Sequence, residues 1–96
     1  MSIDFTSIRN HNEHAVFAAV IAAAPRYPGV SGREDLLADV ACVALNRLQP
    51  RYIRHTVDLA FYQSEKERQD GEQAVVDAVE YAFGFVQART AMRARG

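Results

Sequence analysis

The chain has 96 residues, 49% hydrophobic and 24% charged, so it has the length of one domain and is too apolar for a disordered chain. Eleven basic and 12 acidic side chains give a net charge of −1, which excludes an overall positive field for binding DNA or an acidic membrane. The one cysteine, Cys42, excludes an internal disulfide and a multi-thiolate zinc site.

The N-terminal segment does not resemble a signal peptide, because no apolar run follows its first residues. The longest apolar run, residues 15–25, is far shorter than the roughly 20 residues that span a bilayer. We therefore expect a soluble, cytoplasmic protein. It forms a single domain over residues 1–96, with its core at about 10–90.

The first predicted element is a helix from about residue 7 or 10 to Ala24. Asn10 and Glu13 have the spacing of a capping box. Residues 25–32 hold two prolines and two glycines, which predicts a loop. Apolar side chains at helical spacing predict one buried face on the helix, formed by Val16, Phe17, Val20, Ile21 and Ala24.

The second helix is predicted from a capping box of Ser31 and Glu34 to a stop near Leu48, because Pro50 disfavours helical geometry before it. Its apolar residues cover so much of its circumference that we expect a central, buried helix. Cys42 lies on this helix, and we expect it to be a small, buried packing residue.

Residues 51–63 are ambiguous. Apolar and polar side chains alternate at the start, which favours an extended segment over 51–56 followed by a short helix. The alternative is a helix that begins at Asp58.

Residues 65–72 are highly charged and indicate a solvated turn or an exposed helix face. Asp70, with Gln73 three positions later, is predicted to cap a final helix. That helix has one apolar stripe of Val75, Val79, Ala82, Phe83 and Val86, and a second of Tyr81, Phe85, Ala88 and Met92. Gly84 between them could permit a close helix crossing. Two stripes exceed what a small monomer covers easily, so we expect a homodimer with the second stripe as its interface. The alternative is that the short segments of the same chain cover the second stripe.

The predicted fold is mainly α: a small domain of three to five helices, with a short extended segment after the central helix. No nucleophile elbow, zinc-protease motif, P-loop or dinucleotide-binding glycine motif is present, and we do not expect an enzyme. His11 and His14, with Glu13 nearby, could hold a metal weakly, but a polar helix start explains them better.

Residues 40–57 contain three arginines and no acid, whereas acids and bases are well mixed elsewhere. Arginine forks suit phosphate oxygens and the guanine edge, and a tyrosine can stack on a base. Cations near a helix C-terminus also offset the helix dipole, so a solvated surface is the alternative. Asn46 has a structural alternative too, since it can bond the carbonyls of the last helical turn. The candidate ligand-binding residues are Asn46, Arg47, Pro50, Arg51, Tyr52 and Arg54.

Residues 39–53 read DVACVALNRLQPRYI. This segment resembles the signature of the late-competence ComFB family, roughly D-[IV]-A-x-x-A-L-N-x-L-x-P-x-Y-[VI], and matches every fixed position of it. His11, Asn12 and Glu13, followed by Val16, are similar to the N-terminal helix of the family. The last helix resembles the family's ending more loosely, and the resemblance covers about residues 10–88.

The resemblance implies a small, helical, dimeric protein that senses a ligand without turnover. Cyanobacterial members are receptors for cyclic di-GMP, some relatives bind cyclic di-AMP, and they act through partner proteins. Founding members carry several cysteines between the first two helices that can bind zinc. This chain has none there, so zinc is not expected.

The resemblance and the arginine-rich segment together favour a non-enzymatic receptor for a cyclic dinucleotide, with cyclic di-GMP as the expected ligand and cyclic di-AMP as the alternative. The downstream protein effector is not identified by the sequence. The competing hypothesis is a protein-interaction adaptor related to competence, pili or motility that binds no nucleotide. A DNA-binding accessory is disfavoured by the net charge of −1.

Overall fold

The computed structural model describes residues 2–55, 57 and 63–95, and over these residues the protein is mainly helical, as predicted. Two short antiparallel strands accompany the helices. No described helix combines the length and the apolar character that a membrane span requires. In chain order the elements are β1 (Arg9–Asn10), α1 (Asn12–Ala23), α2 (Pro28–Ser31), α3 (Glu34–Asn46), β2 (Tyr52–Ile53) and α4 (Glu65–Arg95).

Helix α1 begins later than the predicted capping box. His11 is its N-cap residue and no side chain caps it. The predicted pair of Asn10 and Glu13 is therefore wrong. Asn10 belongs to β1, where the strand pairing fixes its backbone outside the helix. The end of α1 at Ala23 agrees with the predicted stop within one residue, and Pro25 follows it.

The predicted loop over residues 25–32 is largely helical. A 3₁₀ turn covers Ala24–Arg26, and α2 begins after one intervening residue, Tyr27. Each of these short helices has a proline in its first two positions, where the missing N–H has no helical partner to lose. The prolines therefore begin short helices here, and Val30 of α2 is buried in the core.

Helix α3 confirms the predicted central helix. Arg33 is its N-cap residue and makes no side-chain cap bond, so the predicted capping box of Ser31 and Glu34 is wrong. The helix buries the side chains of Leu36, Val40, Ala41 and Ala44.

Cys42 is exposed, and the prediction of a buried cysteine is wrong. Each residue of an α-helix is rotated by about 100° from the one before it. Cys42 follows the buried Ala41 and is turned away from the core by that rotation.

Helix α4 begins at Glu65, five residues before the predicted cap at Asp70. Ser64 caps it: its Oγ accepts a hydrogen bond from the Glu67 backbone N–H at 3.1 Å and donates one to Glu67 Oε1 at 3.3 Å. Residues 65–70 and 72 are exposed, as the exposed-face alternative predicts. Arg68 forms ion pairs along this face with Glu65 and Glu72.

The core lies where α4 packs on α3 and α1. The first predicted stripe of α4 is buried over its whole length, from Val75 to Val86. Phe83 is the largest fully buried side chain, and its ring stacks on Tyr27 with centroids 4.2 Å apart and planes inclined by 4°. This contact ties α4 to the segment between α1 and α2.

Several apolar side chains remain outside this core. Phe17 and Ile21 of α1 are 47% and 72% exposed, so the predicted buried face of α1 is wrong at these two positions. The domain is only 19 Å thick along its shortest axis, about the depth of two packed helices. A layer this thin buries one side of each helix and leaves other apolar residues outside.

The second stripe of α4 is exposed as well, including Tyr81, Phe85 and Met92. Gly84 lies beside this stripe, and a Cβ at its position would contact nothing within 4 Å. The predicted close helix crossing at Gly84 is therefore not found within the described chain.

The extended segment predicted at 51–56 is confirmed where β2 lies. Tyr52 and Ile53 pair with Asn10 and Arg9 of β1, respectively. The predicted short helix, and the alternative helix from residue 58, fall on positions 58–62 and thus lie outside the described residues.

Truncating Phe83 tests the position of the core. We expect Phe83→Ala to lower the free energy of unfolding by about 3–5 kcal/mol, because it removes a fully buried ring. Phe17→Ala is the matched control and should cost about 1 kcal/mol or less, because that ring is half exposed. Urea denaturation followed by circular dichroism measures both. Equal losses for the two variants would contradict this assignment of the core.

Candidate functional site

The turn that follows α3 is fastened to the start of α1. The Asn10 side-chain oxygen accepts hydrogen bonds from the backbone N–H groups of Asn12, at 3.1 Å, and Arg51, at 3.0 Å. The backbone N–H of His11 donates to the Arg51 carbonyl at 2.6 Å. One side-chain oxygen therefore accepts hydrogen bonds from two segments of the chain. Asn10 and Arg51 are 41 positions apart in the sequence.

A second bond supports the same junction. Asn12 Nδ2 donates to the carbonyl of Gln49 at 2.8 Å. Gln49 precedes Pro50, and its carbonyl has no partner within the helix because α3 ends at Asn46. Asn10 and Asn12 thus hold the turn after α3 in place. Sequence analysis did not assign this role to them.

A groove of about 840 Å³ lies between α1 and α3 and ends at this turn. Its volume falls within the roughly 300–1,000 Å³ range of small-molecule sites. Its walls are mostly apolar, and Glu13 is the one charged side chain among the described residues that line it. The lining residues are Asn10, Glu13, Phe17, Val20, Ile21, Leu37, Ala38, Ala41, Cys42, Leu45, Asn46, Leu48, Pro50 and Tyr52.

The groove brings together half of the predicted ligand-binding residues. Asn46, Pro50 and Tyr52 line it, whereas the three arginines do not. Tyr52 is 69% exposed, so its ring is accessible and does not cover the core. Asn46 Nδ2 donates to the Cys42 carbonyl at 3.0 Å. This is the bond to a carbonyl of the last helical turn that was the structural alternative for Asn46.

Each predicted arginine has a different environment. The Arg47 guanidinium lies over the Tyr81 ring of α4, with its carbon 3.7 Å from the ring centroid. The Arg51 side chain lines a separate, smaller cavity with Arg68 of α4. Arg54 is exposed just after β2. The three arginines are close in the sequence, but their side chains do not form one cluster.

The alternation of an extended chain explains this separation. Successive side chains of a strand point to opposite sides. Tyr52 lines the groove, while its neighbours Arg51 and Ile53 line two other cavities. Arg54 lies at a bend directly after β2, where the alternation ends, and it does not line the groove.

Sequence analysis missed the α1 wall of the groove. Phe17 and Ile21 were assigned to the core because their spacing matches that of Val16 and Val20. Glu13 was considered only as a cap and as a weak metal ligand, yet it lines the groove. The apolar face of α1 is two adjacent rows of side chains wide. This width is the feature of the sequence that indicates a second apolar surface on the helix.

The first residue of the signature, Asp39, has a structural partner. Arg89 Nη2 of α4 donates to Asp39 Oδ2 at 2.8 Å. The Nε of Arg89 is buried without a hydrogen-bond partner among the described residues. This ion pair joins α3 to α4 on a part-buried surface, away from the groove-lining residues.

His11 and His14 lie at the start of α1. Over the described ranges, no group of three or more His, Cys, Asp or Glu side chains is arranged to hold a metal ion. His11 serves instead as the N-cap residue of α1 and pairs its backbone with Arg51.

Replacing Asn10 tests the junction between α1 and the signature turn. Asn10→Ala leaves two backbone N–H donors without their acceptor and should cost about 1–2 kcal/mol of unfolding free energy. Asn10→Asp keeps the acceptor oxygens and should recover most of the loss. Amide hydrogen exchange at Arg51 and Asn12 is the local measurement. Unchanged exchange at both amides in Asn10→Ala would show that these bonds do not hold the turn.

Comparison with known proteins agrees with the signature. The model of the family described as late competence development protein ComFB matches residues 9–90. No curated protein and no solved structure matches the chain. The matched range contains both strands, the groove and the buried stripe of α4. The chain therefore belongs to the ComFB family.

Proposed function

We propose that this protein is a non-enzymatic receptor for a cyclic dinucleotide, with cyclic di-GMP as its ligand, and that the groove between α1 and α3 holds a base of that ligand. The observation that carries the proposal is the position of Tyr52. An accessible tyrosine ring stands at the edge of an apolar groove of about 840 Å³, on the segment that carries the family signature. The receptor role that the family resemblance implies supports the same function.

The chemistry of the groove suits a nucleobase. Aromatic rings stack on bases irrespective of sequence, and stacking contributes about 1–3 kcal/mol per base. The apolar walls formed by Phe17 and Ile21 match the faces of a purine. Asn46 adds an amide group beside Tyr52 on the same wall.

The phosphates of such a ligand would lie outside the apolar part of the groove. Arg54 lies two positions after the lining residue Tyr52, and Arg47 directly follows the lining residue Asn46. Arginine binds phosphate oxygens through its planar fork. We therefore propose Arg54 and Arg47 as the phosphate-binding residues.

We further infer that the receptor is a homodimer joined through the second stripe of α4, defined by Tyr81, Phe85, Ala88 and Met92. In an antiparallel pair centred between Val86 and Gln87, Tyr81 of one copy lies level with Met92 of the other. Glu80 then lies level with Arg93, and both are exposed in the chain. The open space at Gly84 lets the second helix approach. The charges and the small residues thus favour a second copy of this chain as the occupant.

The second candidate function is a protein-interaction adaptor without a nucleotide. The exposed stripe of α4 favours it, because an apolar helix face can also receive a different protein. The titration below separates the two functions, because only a receptor requires ligand binding in the groove.

Calorimetric titration with cyclic di-GMP tests the receptor function. We expect binding in the micromolar range or tighter, weakened by Tyr52→Ala roughly 5–150-fold through the loss of stacking. Tyr52→Phe keeps the ring and should bind nearly as well as the unaltered protein. Arg54→Ala should also weaken binding, through loss of a phosphate contact.

Arg51→Ala is the matched control for Arg54→Ala, since it removes the same charge from a side chain that lines a different cavity. It should leave the affinity nearly unchanged. Absence of binding to cyclic di-GMP, cyclic di-AMP and GTP by the folded protein would reject the receptor function and favour the adaptor.

The α4 interface is tested by solution mass. The unaltered protein should have twice the chain mass of 10.7 kDa in light scattering. Phe85→Asp should give the monomer, because it places a charge in the apolar stripe. Val76→Asp is the control, on the same helix and with the same 44% exposure, but outside the stripe. A Phe85→Asp protein that remains dimeric would exclude this interface.

A further inference from the structure

The polar groups of the groove differ in their remaining hydrogen-bonding capacity. The Asn10 side-chain oxygen already accepts two backbone N–H bonds. The Asn46 amide nitrogen donates to the Cys42 carbonyl and lies 3.7 Å from the Cys42 sulfur. Both amides are thus partly committed to the fold.

Glu13 differs from both amides, because its carboxylate has no hydrogen bond or ion pair with any described residue. An ionised carboxylate is an acceptor only, with two oxygens that can receive two parallel N–H bonds. Glu13 also lies in the first turn of α1, where the helix dipole favours negative charge. The groove therefore presents a pair of carboxylate acceptors on walls that are otherwise mostly apolar and uncharged over the described residues.

The Watson–Crick edges of the purines differ in how they match this pair. Guanine presents two adjacent donors, N1–H and the N2 amino group, and each can bond one carboxylate oxygen. Adenine presents one donor, the N6 amino group, next to the lone pair of N1. A carboxylate facing adenine makes one bond and meets a repulsive contact at its second oxygen.

We propose that Glu13 is the specificity-determining residue of the groove and selects guanine over adenine by a bidentate bond to N1–H and N2–H. This inference rests on the proposed function, since it assumes that a cyclic dinucleotide base enters the groove. Tyr52 then supplies stacking, which every base accepts, and Glu13 supplies the choice of base.

The charge of Glu13 also orients the ligand. A carboxylate repels phosphate, and no cationic side chain lines the groove among the described residues. The base therefore enters towards Glu13 on α1, and the phosphates remain at the open side, where Arg47 and Arg54 follow the lining residues of the signature segment.

Glu13→Gln tests the inference through a ratio of affinities. A glutamine amide offers one acceptor and one donor, which match N6–H and N1 of adenine. We expect the variant to bind cyclic di-GMP about tenfold more weakly. It should bind cyclic di-AMP at least as tightly as the unaltered protein does. The ratio of the affinities for cyclic di-GMP and cyclic di-AMP should therefore decrease or invert. A protein in which Glu13 is merely structural would lose both ligands together.

Glu34→Gln is the matched control, because it removes the same charge from the first turn of another helix, outside the groove. It should change neither affinity. Cyclic di-IMP carries hypoxanthine, which lacks the N2 amino group, and should bind the unaltered protein more weakly than cyclic di-GMP does. Its affinities for the unaltered protein and for Glu13→Gln should be similar.

The outcomes separate the two proposals. If Glu13→Gln keeps the affinity and the base preference of the unaltered protein, the inference about Glu13 is wrong and the receptor function stands. The inference is equally wrong if the unaltered protein binds cyclic di-AMP as tightly as cyclic di-GMP. If the unaltered protein binds no cyclic dinucleotide, the proposed function itself fails, and the inference fails with it.

Discussion

The buried stripe of α4 is the surface on which the other long helices pack. Its fully buried Phe83 stacks on Tyr27, and Val79, Ala82 and Val86 continue the contact along the helix. For a domain of 96 residues the expected free energy of unfolding is only about 5–15 kcal/mol. A single stripe of this kind therefore supplies a large part of what keeps α1 and α3 side by side, and with them the groove between these two helices.

The thinness of the domain explains why the same helices carry both a core and exposed apolar surfaces. With a thickness of 19 Å, the helices cannot enclose all their apolar side chains. Phe17 and Ile21 are thereby left in the groove, and Phe85 and Met92 are left on α4. These two surfaces differ: one is a groove with a carboxylate and a tyrosine, and the other is an exposed face of a single helix with charges at its ends. A ligand suits the first, and a second helix suits the second.

The residues of the signature segment are divided between structural roles and proposed binding. Asp39 joins α3 to α4 through Arg89, and Arg51 contributes its backbone to the junction with α1. Asn46, Pro50 and Tyr52 line the groove. Arg47 stacks on Tyr81, which is the first residue of the exposed stripe. Arg47 directly follows the lining residue Asn46, so it connects the C-terminal end of α3 to the exposed stripe of α4.

The sequence by itself determined the helical class, the central helix, the buried stripe of α4 and the family, because these depend on periodicity and spacing within one segment. The helix starts were predicted poorly: the pairs Asn10–Glu13 and Ser31–Glu34 have capping spacing but do not cap, whereas Ser64 and Glu67 do. A spacing of three residues occurs often by chance, and strand pairing or a short preceding helix overrides it.

Only the tertiary structure decided which residues line the groove. The three arginines lie within eight positions of the sequence, yet Arg47 contacts Tyr81 of α4, Arg51 lines a different cavity and Arg54 is exposed after β2. Glu13 and Tyr52 are far apart in sequence, yet they line one groove because Asn10 fastens β2 to the start of α1. A long-range hydrogen bond of this kind leaves no periodic signal in the sequence, so local patterns could not reveal the site that it creates.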